Sequence, residues 1–358
     1  MGIYQELSRL EAKISDVAAG KIKPVSTIEE SLLIHSSSSH NNNRTILQYA
    51  IDIVSLGLVP TNVIDILNGI TNHEINSIAN NNRKDPSPRI HPTRSFWDAP
   101  YDIPEKVLRG AIHIPSTFSY GKKQQNPRPP SPRNRRSSRQ HLLLQLLSWS
   151  QGSLDVQWAL KYWPSTRAAV SDFMAVSGDF HGTRLATLCV HVKPFCSPAV
   201  QQQGYDTMFI RALRGEGGDS AFVPTTSVYS GSDFIIQPQS GGEASAALGD
   251  MRGVGVSNVQ VQVACAGRAA GGPYSHSAML VNPLAYALFV DALVHEGPGR
   301  LERIDLDAVC GESLAPGLDV DDVLGMEAVS NVVGVLDVLL YGYDGTQEPP
   351  PLRGYVHH

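Results

Sequence analysis

The sequence predicts an α+β protein. An all-helical lower domain, built from the N- and C-terminal segments, carries an inserted antiparallel β jelly-roll domain. Three observations lead there. Helical periodicity runs through the first ~80 residues, short apolar or alternating runs between turns fill roughly residues 152–270, and helical signals return near Asn282. The expected bounds are 1–150 for the N-terminal helical part, which includes a basic Pro-rich loop at 121–140, 151–272 for the jelly roll, and 273–358 for the C-terminal helical part.

Ile3, Leu7, Leu10, Ile14 and Val17 repeat at helical spacing and Gly20 stops the run. Ser26-Thr-Ile-Glu29 has the pattern of a capping box ahead of Leu32, Leu33 and Ile34. Ile46, Leu47, Ala50, Ile51 and Val54 restore the period up to Gly57, and Val63, Ile64, Leu67 and Ile70 continue it. Prolines make residues 80–120 mostly irregular, and Leu142 to Trp149 reads as a buried helix or strand.

Beyond residue 152, Arg184 to Val192, Met208 to Leu213, Phe222-Val223, Val228-Tyr229 and Phe234 to Ile236 read as short strands. Val259, Val261 and Val263 alternate with Gln260 and Gln262, which predicts a strand buried on one face, and the spacing suits a sandwich or jelly roll. Asn282-Pro283 then opens a helix through Leu284, Leu288, Phe289 and Leu293 that stops at Gly297. Asp319 to Asp322 opens a last helix, where acids favour the positive end of the helix dipole.

Composition narrows the classes. Only 18% of residues are charged, which suits a surface buried in an assembly, and no run is long and apolar enough for a membrane span. No secretory signal is visible at MGIYQELSRL. Cys189, Cys196, Cys265 and Cys310 are widely spaced without a CxxC pair, which argues against a zinc ribbon or disulfide scaffold and for a reducing compartment. Residues 1–145 carry a net charge of +6 and the rest −11. Much of that asymmetry lies in Lys122, Lys123, Arg128, Arg133, Arg135, Arg136 and Arg139, the candidate contact for nucleic acid or an acidic partner. No aromatic side chain interleaves this stretch, so base stacking is not expected.

Candidate chemistry is sparse. Asp179 and His181 stand two apart in Gly178-Asp-Phe-His-Gly182, a spacing open to a base or metal pair but also to a plain turn. There is no GxSxG, GxxxxGK[ST], HExxH or GxGxxG, so hydrolase, nucleotide and zinc-protease readings find no motif. His91, His113, His191, His276 and His295 are scattered, and the cysteines lie in apolar runs, as small hydrophobes do.

Three strings carry a resemblance. Leu7-Ser-Arg-Leu-Glu-Ala-Lys-Ile14 with Gly20-Lys-Ile22 resembles the first helix of the rotavirus-type intermediate-layer protein. Val259-Gln-Val-Gln-Val263 resembles the last jelly-roll strand of the orbivirus-type core-surface protein, and Leu314-Ala-Pro316, Asp321-Asp322 and Val335-Leu-Asp-Val-Leu339 resemble its closing helix. The layout is similar to that of the trimeric T=13 shell proteins of reovirus-order double-stranded RNA viruses, although the basic segment departs from them. The resemblance implies a structural capsid protein with no catalysis, metal or cofactor. Its partners would be two more copies in a homotrimer, neighbouring trimers, an inner-shell capsid protein and outer-capsid proteins, with neither membrane nor nucleic acid. It would reside in the virion, and in the host cytoplasm during assembly. The alternative is a single-shell jelly-roll coat protein or a movement protein that binds RNA through residues 121–140.

Overall fold

The computed structural model describes residues 2–27, 46–61, 96–98, 144–187, 198–327 and 351–357, together with Glu30, Leu32 and Ile64. Helix α1 (Gly2–Ala18) and helix α2 (Ile46–Ser55) form where the period-3.6 stripe predicts them. Leu10, Ile14 and Val17 pack against Ala50, Ile53 and Val54 in one buried cluster. Both helices end at the expected glycines, each with positive φ. At Gly57 the requirement is double, because a Cβ there would meet the Lys23 carbonyl at 2.3 Å. The capping pair sits one residue later than the sequence pattern implies, since the Glu30 amide donates to Thr27 Oγ1 (3.2 Å).

The sheet overturns the predicted fold class. Strands β1 (Leu144–Trp149), β2 (Val170–Val176), β3 (Thr225–Tyr229) and β4 (Val256–Gln260) lie in the order β1-β2-β3-β4, and every pairing is parallel. There is no antiparallel jelly roll among the described residues. Tight turns cannot join parallel strands, and long crossovers with helices do so here. Arg184–Thr187 and Met208–Arg214, read from sequence as strand material, are helical parts of such a crossover. The second is helix α4, following α3 (Gln151–Tyr162), and Thr207 caps it by accepting from the Ile210 amide (3.3 Å). Phe222-Val223 and Phe234 to Ile236 are loop. The valine alternation holds only through β4; Val261 then begins a short helix, which leaves Val263 exposed.

Short apolar runs fit either topology, and burial on both faces distinguishes them. In β2, Phe173 and Ala175 pack with Val156 and Leu160 of α3. On the opposite face, Val176 joins Val228 of β3, Val259 of β4, and Leu284 and Leu288 of helix α5 (Pro283–Val294). The sheet is therefore a middle layer. Helix α5 begins as predicted, with Asn282 Oδ1 accepting from the Leu284 and Ala285 amides (both 3.0 Å). Helix α6 (Val320–Glu327) also starts at its acidic cap, and Asp319 Oδ1 accepts from the Asp321 amide (3.0 Å). No described helix is long and apolar enough to cross a membrane.

Cys265 and Cys310 form a disulfide with Cα atoms 5.3 Å apart, correcting the reading of free thiols in a reducing compartment. Spacing in sequence could not reveal it, because folding alone brings residues 45 apart into contact. Cys310→Ala is expected to lower stability by about 4 kcal/mol, the chain-entropy value for a loop of this size, read as a lower urea midpoint. Cys189, Cys196 and the basic residues Lys122, Lys123, Arg128, Arg133, Arg135, Arg136 and Arg139 lie outside the described residues.

Candidate active site

The C-terminal edge of a parallel sheet is where α/β folds build sites. There, β1 ends at Trp149 and α3 begins at Gln151, so Ser150 alone makes the turn between strand and helix. Its backbone is at φ 56°, ψ −131°, a conformation that favours glycine, and its amide donates to Val176 O (3.0 Å). A serine forced into this position is presented at the tip of a sharp corner, with its hydroxyl engaged in no cap bond to the helix. The first amides of α3 have no carbonyl within the helix to bond, so the Gln151 N–H is available to an oxygen beside Ser150. Small residues line the corner, and Ser148 Oγ is hydrogen-bonded to Ser153 Oγ (2.8 Å).

Two loops at the same edge supply an acid and an imidazole. After β3, the fully buried Asp233 accepts through Oδ1 from the amides of Ile235 (2.9 Å) and Ile236 (3.0 Å). Its other oxygen, Oδ2, lies 2.6 Å from Nδ1 of His276, which is also buried. Trp149, next to Ser150, donates from Nε1 to the His276 carbonyl (3.1 Å), and its ring lies 5.0 Å from the imidazole. Carboxylate and imidazole thus pair against the residue next to the elbow serine, and the three follow the chain order Ser150, Asp233, His276. An imidazole whose Nδ1 faces a carboxylate presents Nε2 as a base for a neighbouring hydroxyl.

Two known proteins are similar to the chain. Over 153 residues it is 35% identical to lipase B of Pseudozyma antarctica, a match spanning 42% of each chain. Across 98% of its length it superposes on the crystal structure of Aspergillus fumigatus lipase B, covering 96% of that chain with a TM-score of 0.79 and 36% identity. The chain belongs to the lipase B family of α/β hydrolases. No protein-family model matches the sequence.

Membership in the lipase B family overturns the viral reading. The chain is not a T=13 shell protein, and the homotrimer, neighbouring-trimer, inner-shell and outer-capsid partners, the virion location and the absence of catalysis fall with it. The RNA-binding coat or movement protein falls too. The resembling strings are generic helix and strand patterns, which unrelated folds share.

The pattern missed by sequence reasoning is Ser148-Trp-Ser-Gln-Gly152, where serine replaces the first glycine of GxSxG. An apolar run ending directly in Ser-x-Gly and a helix was the available signal. His276 stood among scattered histidines, and nothing local distinguished Asp233. Among the described residues no group of three or more potential ligands could hold a metal ion.

Asp179 and His181, flagged by their spacing, lie just past the end of β2, and both are buried. Among the described residues, neither Asp179 oxygen nor either His181 ring nitrogen has a hydrogen-bond partner on another residue. Burial pushes the Asp179 carboxyl up to about 7; the nearby His276 opposes the rise, and Asp155 and Asp233 add to it. Burial, with Arg214 as a smaller cause, lowers His181 to about 4. The folded protein holds the Asp179 proton more tightly than the unfolded chain does, so this group costs stability as pH rises from about 4 to about 7. That cost is on the order of 4 kcal/mol. Asp179→Asn removes it, and the variant should gain on the wild type by that order between pH 4.5 and 7.5 in urea unfolding.

Proposed function

We propose that this chain hydrolyses carboxylic esters of the lipid type by a serine mechanism. The carrying observation is the 2.6 Å contact between His276 and Asp233 beside the strained Ser150 corner. His276 Nε2 takes the Ser150 proton as Oγ adds to the ester carbonyl, and the resulting oxyanion lies against the Gln151 amide. Collapse of this intermediate expels the alcohol, which receives the proton from His276 and leaves an acyl group on Ser150 Oγ. Water, deprotonated by His276, then adds to the acyl carbon, and collapse breaks the bond to Ser150 Oγ, which takes the proton back from His276 as the acid leaves. Asp233 holds the ring and stabilises the imidazolium at each stage.

The two relatives are lipases by name, which supports a lipid ester as substrate. The Cys265–Cys310 bond supports work in an oxidising, extracellular setting. Hydrolysis of p-nitrophenyl esters of increasing acyl length, with a fluorophosphonate to label the nucleophile, tests the reading. Turnover of long-chain esters and a label on Ser150 are expected; a label elsewhere, or no turnover at any length, overturns it.

A further inference from the structure

Outside the three reacting residues, one buried charge-bearing side chain reaches the loop that carries the imidazole. Glu327, at the end of α6 and fully buried, accepts from Ser275 Oγ (2.5 Å), and Ser275 immediately precedes His276. Ser275 Oγ in turn accepts from the Ala278 amide (3.1 Å), closing a turn around the histidine. The flanks of this loop are tied down as well. Tyr274 Oη donates to Ser313 O (2.6 Å), and the Ala315 amide donates to Val281 O (2.8 Å). Helix α6 is itself locked by packing, with Val323 among the residues around Ala278 and Met279, and Leu324 among those of α1 and α2.

A buried carboxyl with a buried hydroxyl partner is costly unless the geometry is fixed, and fixed geometry is what a catalytic imidazole needs. Asp233 restrains the ring at Nδ1 and Trp149 restrains the main chain at the carbonyl; Glu327, through Ser275, supplies the restraint on the preceding residue. We infer that Glu327 is a positioning residue for the hydrolytic reaction, holding through Ser275 the backbone on which His276 meets Ser150. This rests on the function proposed above.

The test is a double-mutant cycle of Glu327→Ala and Ser275→Ala, with Glu327→Gln as the conservative variant, read by kcat and KM and by the proton NMR signal of the hydrogen between His276 Nδ1 and Asp233. Each alanine variant should lower kcat by about tenfold or more with KM little changed. The double variant should be no slower than the worse single one, because both substitutions cut the same link. Glu327→Gln keeps the accepting oxygen and should retain most of the wild-type rate. The imidazole signal should broaden through faster exchange in the alanine variants and stay sharp in Glu327→Gln.

Losses that multiply in the double variant, a Glu327→Gln as slow as Glu327→Ala, or an unchanged kcat would overturn the inference. Should Glu327→Ala not fold, Ser275→Ala and Glu327→Gln decide it alone. The NMR signal is read without substrate, so it decides even if the wild type turns over no ester, an outcome that counts against the proposed function only.

Discussion

Ser150→Ala should fold normally and lose ester hydrolysis by about six orders of magnitude, as when the nucleophile of a triad enzyme is removed. The more informative companion is Ser150→Gly. At φ 56°, ψ −131° a side chain is strained, by about 1–3 kcal/mol, and glycine is not. Ser150→Gly should therefore be inactive and yet unfold at a urea concentration no lower than the wild type, with a gain of about 1 kcal/mol once glycine's extra unfolded-state entropy is set against the strain relieved. The two substitutions separate the roles of the position. Both remove the hydroxyl, and only the second relieves the backbone. A Ser150→Gly variant that unfolds earlier than Ser150→Ala would show that the corner is not strained.

Asp233→Asn should lower kcat by about 10⁴-fold with a much smaller loss of stability. The amide oxygen can still accept from the Ile235 and Ile236 amides, so the loop keeps its shape. Its NH₂ group, however, now faces His276 Nδ1 and donates to it, which fixes the proton on Nε2, the atom that must accept from Ser150. The defect should be partly relieved at high pH in a kcat profile, where hydroxide assists, and KM should barely move. Asp233→Ala should cost stability as well, because the buried Ile236 amide, the half-buried Ile235 amide and the imidazole lose their acceptor. Comparing the two variants by urea unfolding isolates the structural share of this carboxylate.

What was legible in the sequence was local. The stripes of α1 and α2, their glycine stops, and the caps of α5 and α6 depend on contacts within a few residues, and they stand where the pattern puts them. The sheet was not legible, because a short apolar run does not state whether its neighbour runs parallel, and the helices of the crossovers were themselves short and apolar enough to read as strands. The site was hidden for a related reason. Ser148 broke the expected motif by standing where the pattern has its first glycine, and its hydroxyl is hydrogen-bonded to Ser153. Asp233 and His276 are far apart in the chain and become a pair only where β3 and the loop before α5 reach one edge of the sheet.

The neighbouring Asp179 and His181 shift in opposite directions, and together they make folding an internal proton relocation. Between about pH 4 and pH 6.5 the unfolded chain carries an aspartate and an imidazolium at these positions, whereas the folded chain carries a neutral acid and a neutral base. Each state holds one proton on the pair, so the pair neither takes up nor releases one to solvent when the protein folds. The molecule removes a zwitterion from its interior in a way that a pH-stat cannot register. Neutralising Asp179 alone breaks this balance and exposes the opposing slope of His181, a pH sensitivity that the intact loop conceals.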